Sequence, residues 1–308
     1  MSSPVVSIII PVYNAGAFIE KCLDSLCSQT VRDIEIIVVN DGSTDNSLSI
    51  CEAYAAKDSR VKIIDKANAG VSEARNYGIK HSSGSYLMFV DADDWVAEDT
   101  IETCMPYIPE YDIVRFSARS VYPDRIKHYK IGKSSDIRKI TASIIKRRTI
   151  VACWGGLFRR ELFSDFDLKF KKGLRIGEDW LMSAELMNRC KSIKMLPEAY
   201  CYYYNKTNTD SCTMNLSKDK IMEQFKAWRA IKSVYPKEYR KEFRYTKCMF
   251  ISELIKCCGM SEAGRTLHEH GENLRFRHIF PFLRSNVSIR KKANLLRMYY
   301  GKHIKPRS

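Results

Sequence analysis

The segment Tyr86-Leu-Met-Phe-Val-Asp-Ala-Asp-Asp-Trp95 places five apolar residues directly before three carboxylates. Its apolar half, Tyr86–Val90, predicts a strand buried on both faces, and Asp91, Asp93 and Asp94 fall where that strand ends. Carboxylates held together repel one another unless a cation neutralises them, and their oxygens suit a hard divalent cation. Aspartates in loops also cap helices and turn the chain, so this segment alone leaves both interpretations open.

The residues before this segment alternate between strand and helix patterns. Three further apolar runs predict strands at Val5–Val12, Ile34–Val39 and Val61–Ile64, and helices are predicted over 18–26, Ser47–Lys57 and Ser72–His81. Apolar strands separated by helices are typical of an α/β fold, a parallel sheet with helices on both faces. Ligands of such sheets bind at the carboxyl ends of the strands, where the aspartates lie.

The remainder of the chain divides into two parts. Strands are predicted at Ile113–Phe116 and Ala199–Tyr204, and helices at Ile137–Arg147 and Asp179–Cys190. After Ser217 the pattern is helical throughout, with candidate helices over 218–234, 239–258, 261–270 and 288–300. We therefore expect a catalytic α/β domain over 1–215 and a helical, basic region over 216–308.

Cysteine content and hydropathy bound the class of protein. The 308 residues include 11 cysteines at irregular spacings and without a Cys-x-x-Cys pair, a pattern that indicates free thiols in a reducing compartment. An apolar run long enough to span a membrane is missing, and the N-terminus lacks a basic region before its apolar stretch. From these features we expect a cytoplasmic protein.

Positive charge is concentrated at the C-terminus. The net charge is +15, and the stretch after Glu272 contains ten Lys and Arg residues and no acidic residue. Aromatic and aliphatic residues are interspersed among them. Such a segment can lie on an anionic membrane surface, bind nucleic acid, or form no more than a solvated basic face.

Three more polar segments accompany the aspartates. In Asn40-Asp-Gly-Ser-Thr-Asp45, the Asp41 carboxylate follows a strand and can accept a hydrogen bond from a base or ribose. In Asn68-Ala-Gly-Val-Ser-Glu-Ala-Arg-Asn76, Ser72 is expected to cap a helix and Arg75 to lie in its first turn. A cation there opposes the helix dipole, so Arg75 either faces a nucleotide or bridges an aspartate of the site.

The third segment, Gly177-Glu-Asp-Trp180, opens a predicted helix with two carboxylates. Acidic residues stabilise a helix start in any case, but a carboxylate at this point can also act as a general base. A G-x-G-x-x-G fingerprint and a Walker loop are both missing from the sequence. A dinucleotide-binding fold of the usual kind and a P-loop enzyme are thereby excluded.

These segments, in this order, resemble those of family 2 glycosyltransferases, which have the GT-A fold, a Rossmann-like nucleotide-binding sheet flanked by helices. The resemblance is carried by Pro11-Val-Tyr-Asn14, the two segments around Asp41 and Arg75, and Asp91-Ala-Asp-Asp94. It continues more weakly through Trp154-Gly-Gly-Leu-Phe-Arg-Arg-Glu-Leu-Phe163 and Gly177-Glu-Asp-Trp180. The resemblance does not extend into the helical C-terminal region.

The resemblance implies a role for each matching residue. Asp179 would be the catalytic base, Asp93 would ligate Mn²⁺ or Mg²⁺, and Lys206 would lie near the diphosphate. Trp154 and Glu178 would shape the acceptor pocket. The nucleotide would be bound by Pro11, Val12, Tyr13, Asn14, Asp41, Arg75, Asp91 and Ala92. The sequence departs from the family at Asn40, where Asp is common, and at Gly156, where many members carry Lys.

The function implied is inverting transfer of a sugar from a nucleotide diphosphate sugar, most often a UDP-sugar in this family, to an acceptor hydroxyl. We expect a glycan or lipid-linked glycan acceptor in cell-surface polysaccharide synthesis, with the basic region docked on the cytoplasmic face of a membrane. A sugar nucleotidyltransferase is an alternative, but Pro11-Val-Tyr-Asn14 is not its Gly-rich loop. A nucleic-acid-binding protein would need reading motifs that the sequence lacks, so no nucleic acid partner is expected. A non-catalytic sugar-nucleotide binder conflicts with Asp93 and Asp179.

Overall fold

The computed structural model of the chain describes residues 4–164, 168–208, 217–235 and 237–272. These residues fall into two compact units, divided between Ser211 and Cys212. The first unit is α/β and the second is helical.

Four parallel strands form one half of the sheet in the first unit. Their order is β3-β2-β1-β4, and helices follow the first three in the chain. The elements are β1 Val6–Val12, α1 Ile19–Cys27, β2 Ile34–Asp41, α2 Ser47–Ala55, β3 Val61–Lys66, α3 Val71–His81 and β4 Tyr86–Phe89. This half matches the predicted alternation, with boundaries that differ by a few residues.

The second half of the sheet is mixed in direction. It contains β5 Trp95–Val96, α4 Thr100–Cys104, β6 Ile113–Val121, β7 Ile126–Tyr129, α5 Ile137–Ile145, β8 Gly156–Arg159, α6 Glu178–Arg189 and β9 Ile193–Asn205. Strand β8 runs antiparallel between β4 and β6, while β9 lies parallel to β6. Strands β5 and β7 pair antiparallel with β9 and β6. Within the described residues, one sheet of nine strands results.

The parallel arrangement was predicted only for the first hundred residues, and no strand direction was predicted for this half. Strands β5, β7 and β8, of two to four residues, are too short to leave a hydropathy pattern. Strands β6 and β9 extend beyond the predicted Ile113–Phe116 and Ala199–Tyr204. Their added residues mix apolar and polar types, over Ser117–Val121 in β6 and Ile193–Glu198 in β9, and pairing with neighbouring strands, rather than hydropathy alone, keeps them extended.

The core of this unit lies on both faces of β1 and β2. Ile8, Ile9 and Ile10 are fully buried, as is the apolar run of β2. Helix α1 buries Ile19, Cys22, Leu23 and Leu26, because residues three and four apart share one face of a helix. All ten cysteines of the described residues are free thiols, and most are buried, as the sequence indicated.

The second unit contains α7, Lys218–Val234, and α8, Arg240–Glu269. Gly259 interrupts α8 with a φ of 77°, which matches the predicted division into two helices. Phe225, Trp228 and Phe250 pack together between α7 and α8. The predicted helix over 288–300 and the basic residues after Glu272 lie outside the described residues. Among the helices that are described, none is long and apolar enough to cross a membrane.

Candidate active site

The turn after β4 is anchored by Asp94, which is fully buried. Its carboxylate accepts hydrogen bonds from Tyr202 Oη and from the Asn205 backbone N–H, each at 2.7 Å. Tyr202 Oη also accepts from the Asp91 N–H at 3.1 Å. Burial raises the pKa of Asp94, and the charges of Asp91 and Asp93 act in the same direction. Asp94 therefore joins the turn to β9, the structural role that aspartates often have in loops.

Asp93 lies at the open side of the same turn and is only partly buried. Its Oδ2 accepts from Asn208 Nδ2 at 2.8 Å. Burial raises the pKa of Asp93, and the charge of Asp91 raises it further. Within the described residues, no group of three or more His, Cys, Asp or Glu side chains is arranged so that it could hold a metal ion. Between Asp91 and Asp93, Ala92 is buried.

Arg75 joins the end of β4 to the start of α6. Its Nη2 donates to Asp91 Oδ1 at 2.8 Å, and its Nη1 donates to Asp179 Oδ1 at 2.8 Å and Glu178 Oε1 at 3.1 Å. The Arg75 residue is 4% exposed, and its guanidinium carbon lies 5.1 Å from the centre of the Phe170 ring. Although burial opposes the charge, the three carboxylates hold the pKa of Arg75 above its ordinary range.

Of the two expectations for Arg75, the structure shows the bridge between carboxylates; contact with a nucleotide stays a prediction. The fold explains why a cation stands at position 75. Without Arg75, the carboxylates of Asp91, Glu178 and Asp179 would meet without a counter-charge. Asn76, the next residue, pairs with the backbone of Phe170 through Nδ2 at 3.0 Å and Oδ1 at 2.8 Å. This pair holds the Phe170 ring against Arg75.

Asp179 is a carboxylate whose surroundings disfavour its charge. Burial raises the pKa of Asp179 to about 8; Glu178 and Asp91 act in the same direction, and Arg75 opposes them. Helix α6 begins at Glu178, after Gly177 with a φ of 94°, which a residue with a side chain rarely adopts. The sharp turn at Gly177 brings both acidic residues of the first helical turn to Arg75.

Asp41, at the end of β2, organises the loop that leads into α3. Its carboxylate accepts from the backbone N–H groups of Ala69, at 2.9 Å, and Gly70, at 2.7 Å, and pairs with Lys66. The expectation that Ser72 caps α3 was wrong, because the helix begins at Val71 after Gly70, without a side-chain cap. The base contact predicted for Asp41 is not tested by these bonds.

The end of β1 carries the other predicted nucleotide residues. Pro11 is partly buried and Val12 fully buried, whereas Tyr13 is 54% exposed. Asn14 has a φ of 49°, and its Oδ1 accepts from the Thr44 N–H at 2.8 Å. This bond joins the loops after β1 and β2, so a strand-end surface is formed from both.

An aromatic wall lies on β9 beside the loop before β8. The Trp154 ring stacks on Tyr202 with centres 4.4 Å apart and on Tyr204 with centres 5.5 Å apart. Lys206 Nζ lies 4.0 Å over the Tyr204 ring. The loop is fixed to α6 by Cys153, whose thiol donates to the Asp179 carbonyl oxygen at 3.9 Å. Trp154 and Asp179 are thus held by one local network.

Gly156, where many members of the resembled family carry Lys, has no room for a side chain. A Cβ there would lie 2.5 Å from the Val114 carbonyl oxygen and 2.9 Å from Arg115 Cδ. Arg115 is buried and donates to the carbonyls of Ile150, at 2.8 Å, and Ala152, at 3.1 Å. Burial lowers the pKa of Arg115 to about 10. Arg115 therefore occupies the space beside β8 and holds the loop before Trp154.

The site contains residues that the sequence did not single out as functional. Tyr202 and Asn205 fix Asp94, Asn208 contacts Asp93, and Phe170 packs on Arg75. The run Tyr202-Tyr-Tyr-Asn-Lys206 was a visible signal for the first two. Nothing in the sequence around Phe170 indicates that it meets Arg75.

The first half of the chain matches a known protein family. The model of "Glycosyl transferase family 2" matches residues 7–166, about half of the chain, from the second residue of β1 to beyond the end of β8. This chain belongs to the family 2 glycosyltransferases. Among related sequences, the Bacillus subtilis protein "Uncharacterized glycosyltransferase EpsJ" is 37% identical over 215 residues. That match covers 67% of this chain but 62% of EpsJ, so the chain spans about three fifths of the relative's length.

Solved structures show the same fold at low identity. Residues 1–349 of Staphylococcus aureus TarS, in complex with UDP-GlcNAc, superpose with a TM-score of 0.67 at 22% identity, covering 82% of this chain and 72% of that TarS chain. A mannosyltransferase from Pyrobaculum calidifontis, in complex with GDP-Man and Mn²⁺, has a TM-score of 0.58 at 16% identity, covering 99% and 82%. The family 2 glycosyltransferase described here therefore has the GT-A fold with a helical C-terminal region.

Proposed function

We propose that this family 2 glycosyltransferase is an inverting enzyme that moves a sugar from a UDP-sugar to an acceptor hydroxyl. The acceptor would be a glycan or lipid-linked glycan in cell-surface polysaccharide synthesis. The observation that carries the proposal is the ion-pair cluster in which Arg75 links Asp91, at the end of β4, to Asp179, at the start of α6. In the proposed site, Asp91 lies on the side of the donor and Asp179 on the side of the acceptor.

Asp179 is the general base of the proposed reaction. A general base takes a proton from the acceptor hydroxyl and releases it later, so a pKa near the working pH suits the role. Burial gives Asp179 such a pKa, about 8. One in-line attack by the acceptor hydroxyl inverts the anomeric centre and needs one base and no protein nucleophile. Arg75 orients the carboxylate through Oδ1.

The donor would lie across the carboxyl ends of β1, β2 and β4. Pro11, Val12, Tyr13, Asn14, Asp41, Asp91 and Ala92 stand at these ends, and ligands of α/β sheets bind there. The choice of uridine rests on the resemblance and on the UDP-GlcNAc bound to the structural neighbour TarS. The Pyrobaculum neighbour holds a guanosine donor, GDP-Man, which makes the nucleotide the first property to measure.

Asp93 is the residue proposed to hold Mn²⁺ or Mg²⁺. It is partly buried, and both burial and the Asp91 charge disfavour its ionised form. A bound cation would stabilise that ionised form. One carboxylate is a common protein contribution to Mg²⁺ sites that share the ion with substrate phosphates. The ion, when bound, would neutralise charge on the departing diphosphate. Lys206 stands close enough for its charge to act on Asp93, which suits a diphosphate contact.

The acceptor would be placed by Trp154 and Glu178. The Trp154 ring, stacked on Tyr202 and Tyr204, offers an apolar surface for a sugar ring beside Asp179. The basic segment after Glu272 is proposed to dock the enzyme on an anionic membrane surface, where a lipid-linked acceptor is presented.

The test is a titration of the purified chain with UDP-, GDP- and dTDP-sugars, with and without Mn²⁺. We expect one UDP-sugar to bind in a metal-dependent way, with binding lost in Asp93→Ala. Asp33→Ala is a matched control, because Asp33 is exposed and precedes β2 at the opposite edge of the sheet. Transfer should fall by about 100-fold or more in Asp179→Asn while donor binding stays.

Asp136→Asn controls for the loss of an acidic group at a helix start, since Asp136 caps α5 by accepting from the Lys139 N–H. If no nucleotide sugar binds under either condition, the proposal is wrong and the aspartates are structural. Loss of donor binding in Asp179→Asn would remove Asp179 from the role of base.

A further inference from the structure

Aromatic and basic side chains continue from the acceptor wall onto the β6–β7 hairpin. We call Trp154, Tyr204, Lys206, Tyr122 and Lys127 the hairpin band. Trp154 stacks on Tyr204, and Lys206 Nζ lies 4.0 Å over the Tyr204 ring. The Lys206 N–H donates to the Val121 carbonyl oxygen at 2.8 Å, so Lys206 adjoins the hairpin. Tyr122 follows Val121 directly, and Lys127 Nζ lies 5.4 Å from its ring centre.

Strand register puts Tyr204 and Lys127 of this band on one face of the sheet. Tyr204 pairs with Ser120 on β6, and Ser120 pairs with Lys127 on β7. Paired residues of neighbouring strands point to the same face, and two strand spacings separate Tyr204 from Lys127 by roughly 10 Å. Tyr202, Ala118 and Tyr129 form the adjacent row on the same face. The band therefore leads away from Trp154 across three strands.

Neither lysine of the band forms an ion pair with a carboxylate within the described residues. Lys127 is exposed and Lys206 partly so, and within the described ranges each has an aromatic ring but no ion pair. Arg125, which also lies over Tyr122 at 4.9 Å, is paired with Asp124. Every residue of β7 is exposed, and Tyr129 is 52% exposed.

A structural role explains only part of this arrangement. A lysine on an edge strand discourages pairing with another chain, which is sufficient for Lys127. It does not account for the half-buried Tyr122 and the exposed Tyr129 beside it, since an exposed aromatic ring contributes little to the core. Grouped rings and unpaired cations at a surface are typical of a binding site.

We propose that the hairpin band binds the extended part of an anionic glycan acceptor. This inference rests on the proposed function, because it takes Trp154 as the point where the acceptor enters. Sugar rings would pack on Tyr204 and Tyr122, and carboxylate or phosphate groups of the chain would pair with Lys127, while Lys206 stays with the donor diphosphate. Continuity with Trp154 favours a glycan over a membrane or a nucleic acid, which have no reason to begin at the acceptor wall.

The experiment measures binding of an oligogalacturonate to the full chain by calorimetry at low salt, in the presence of UDP and Mn²⁺. The same oligosaccharide with its carboxyl groups reduced is the neutral probe. We expect the anionic probe to bind at least about tenfold more tightly than the neutral one, and more weakly as salt is added. Lys127→Glu and Tyr122→Ala should each weaken binding of the anionic probe about tenfold.

Lys57→Glu is the matched control. Lys57 lies 6.0 Å from the centre of the Tyr54 ring, at the C-terminal end of α2, and so at the edge of the sheet where the parallel strands begin. It should bind both probes as the unaltered chain does. UDP binding should persist in all three variants, which also shows that they are folded.

Three results would overturn the inference. One is equal binding of the anionic probe by Lys127→Glu, Tyr122→Ala and the unaltered chain. Another is tighter binding of inorganic polyphosphate or oligothymidylate than of oligogalacturonate, with the same loss in Lys127→Glu, which would identify a general polyanion site. A third is Lys127-dependent binding to phosphatidylglycerol vesicles without binding of the glycan. Failure of the chain to bind UDP at all would instead contradict the proposed function.

Discussion

A single guanidinium determines the electrostatics of the site at the scale of residues. Arg75 is buried among three carboxylates, Asp91, Glu178 and Asp179, and is their one ion-pair partner within the described ranges. Removing one partner of a buried ion pair leaves uncompensated charge and costs several kcal/mol. An Arg is needed because a planar guanidinium can donate to groups in different directions at once, which a lysine ammonium on one stem cannot do equally well.

We therefore expect Arg75→Met to lower the free energy of unfolding by about 3–5 kcal/mol. Arg75→Lys should lose less stability but should still reduce transfer, since Asp179 would lose its orientation. Urea denaturation followed by fluorescence measures the first effect. Arg125→Met, which breaks an exposed pair with Asp124, is the control and should cost less than about 1 kcal/mol. Equal costs for Arg75→Met and Arg125→Met would show that the buried cluster is not held by Arg75.

The pKa of Asp179 leads to a second prediction at this scale. Because burial raises that pKa to about 8, the carboxyl group of the free enzyme is protonated at lower pH and cannot act as a base. The value of kcat/KM for the donor should rise about tenfold per pH unit up to about pH 8 and then level off. A rate that does not change with pH over this range would separate Asp179 from proton transfer.

At the scale of elements, the strand ends opposite the site are joined by a buried carboxylate. Glu35, at the start of β2, accepts from Ser7 Oγ on β1 at 2.5 Å and from the Ser83 N–H before β4 at 2.6 Å. Lys62 on β3 donates to its other oxygen at 2.6 Å. One residue thus links all four parallel strands. Although burial alone would raise it, hydrogen bonds from Lys62, Ser7 and Ser83 hold the pKa of Glu35 at about 2.

A folded-state pKa below the ordinary value of 4.5 means that the ionised form stabilises the fold. That stability is present above about pH 4.5 and is lost as the pH falls towards about 2. Glu35→Gln should reduce the free energy of unfolding by about 1–3 kcal/mol at neutral pH. It should also make stability less dependent on pH in the acid range. Unchanged acid dependence in denaturation curves of Glu35→Gln would assign the acid sensitivity to other groups.

The elements also differ in how far hydropathy predicts them. Strands β1 to β4 are apolar runs between helices, so their existence and their parallel order follow from composition and spacing. Strand β8 is four residues long, and β6 and β9 continue into polar residues. Their place in the sheet depends on hydrogen bonding to neighbours that are distant in the chain.

At the scale of the whole molecule, the chain divides into an α/β unit and a helical unit, and positive charge is unevenly distributed between them. The ten basic residues after Glu272 all belong to the second unit. Donor chemistry and attraction to anionic surfaces are therefore expected from different parts of the chain.

A chain ending at residue 215 tests this division. We expect it to keep metal-dependent binding of the UDP-sugar and to lose binding to phosphatidylglycerol vesicles. Binding of the full chain to those vesicles should weaken as salt screens the basic residues. Loss of UDP-sugar binding on truncation, in a product that remains folded by circular dichroism, would show that the second unit takes part in donor binding.

The parallel half of the sheet, the helical character of the C-terminal region and the positions of the strand-end carboxylates could all be predicted from the amino-acid sequence. These are local properties: apolar runs of strand length, helical spacing of apolar residues, and Asp or Asn directly after a strand. Asp91 and Asp93 were found as candidates because they follow a predicted strand and Asp179 because it opens a predicted helix, and the family followed from the order of the motifs.

The contacts of each of these residues could not be predicted and became known from the folded chain. Arg75 lies 16 residues from Asp91 and 104 from Asp179 in the chain, and no local pattern reports that the three meet. Asp94, adjacent to the proposed metal ligand, proved to be a buried anchor for Tyr202 and Asn205. The aromatic wall and its continuation onto β7 arise from strand pairing. Such contacts depend on packing between distant segments, and burial there sets the charge of each group.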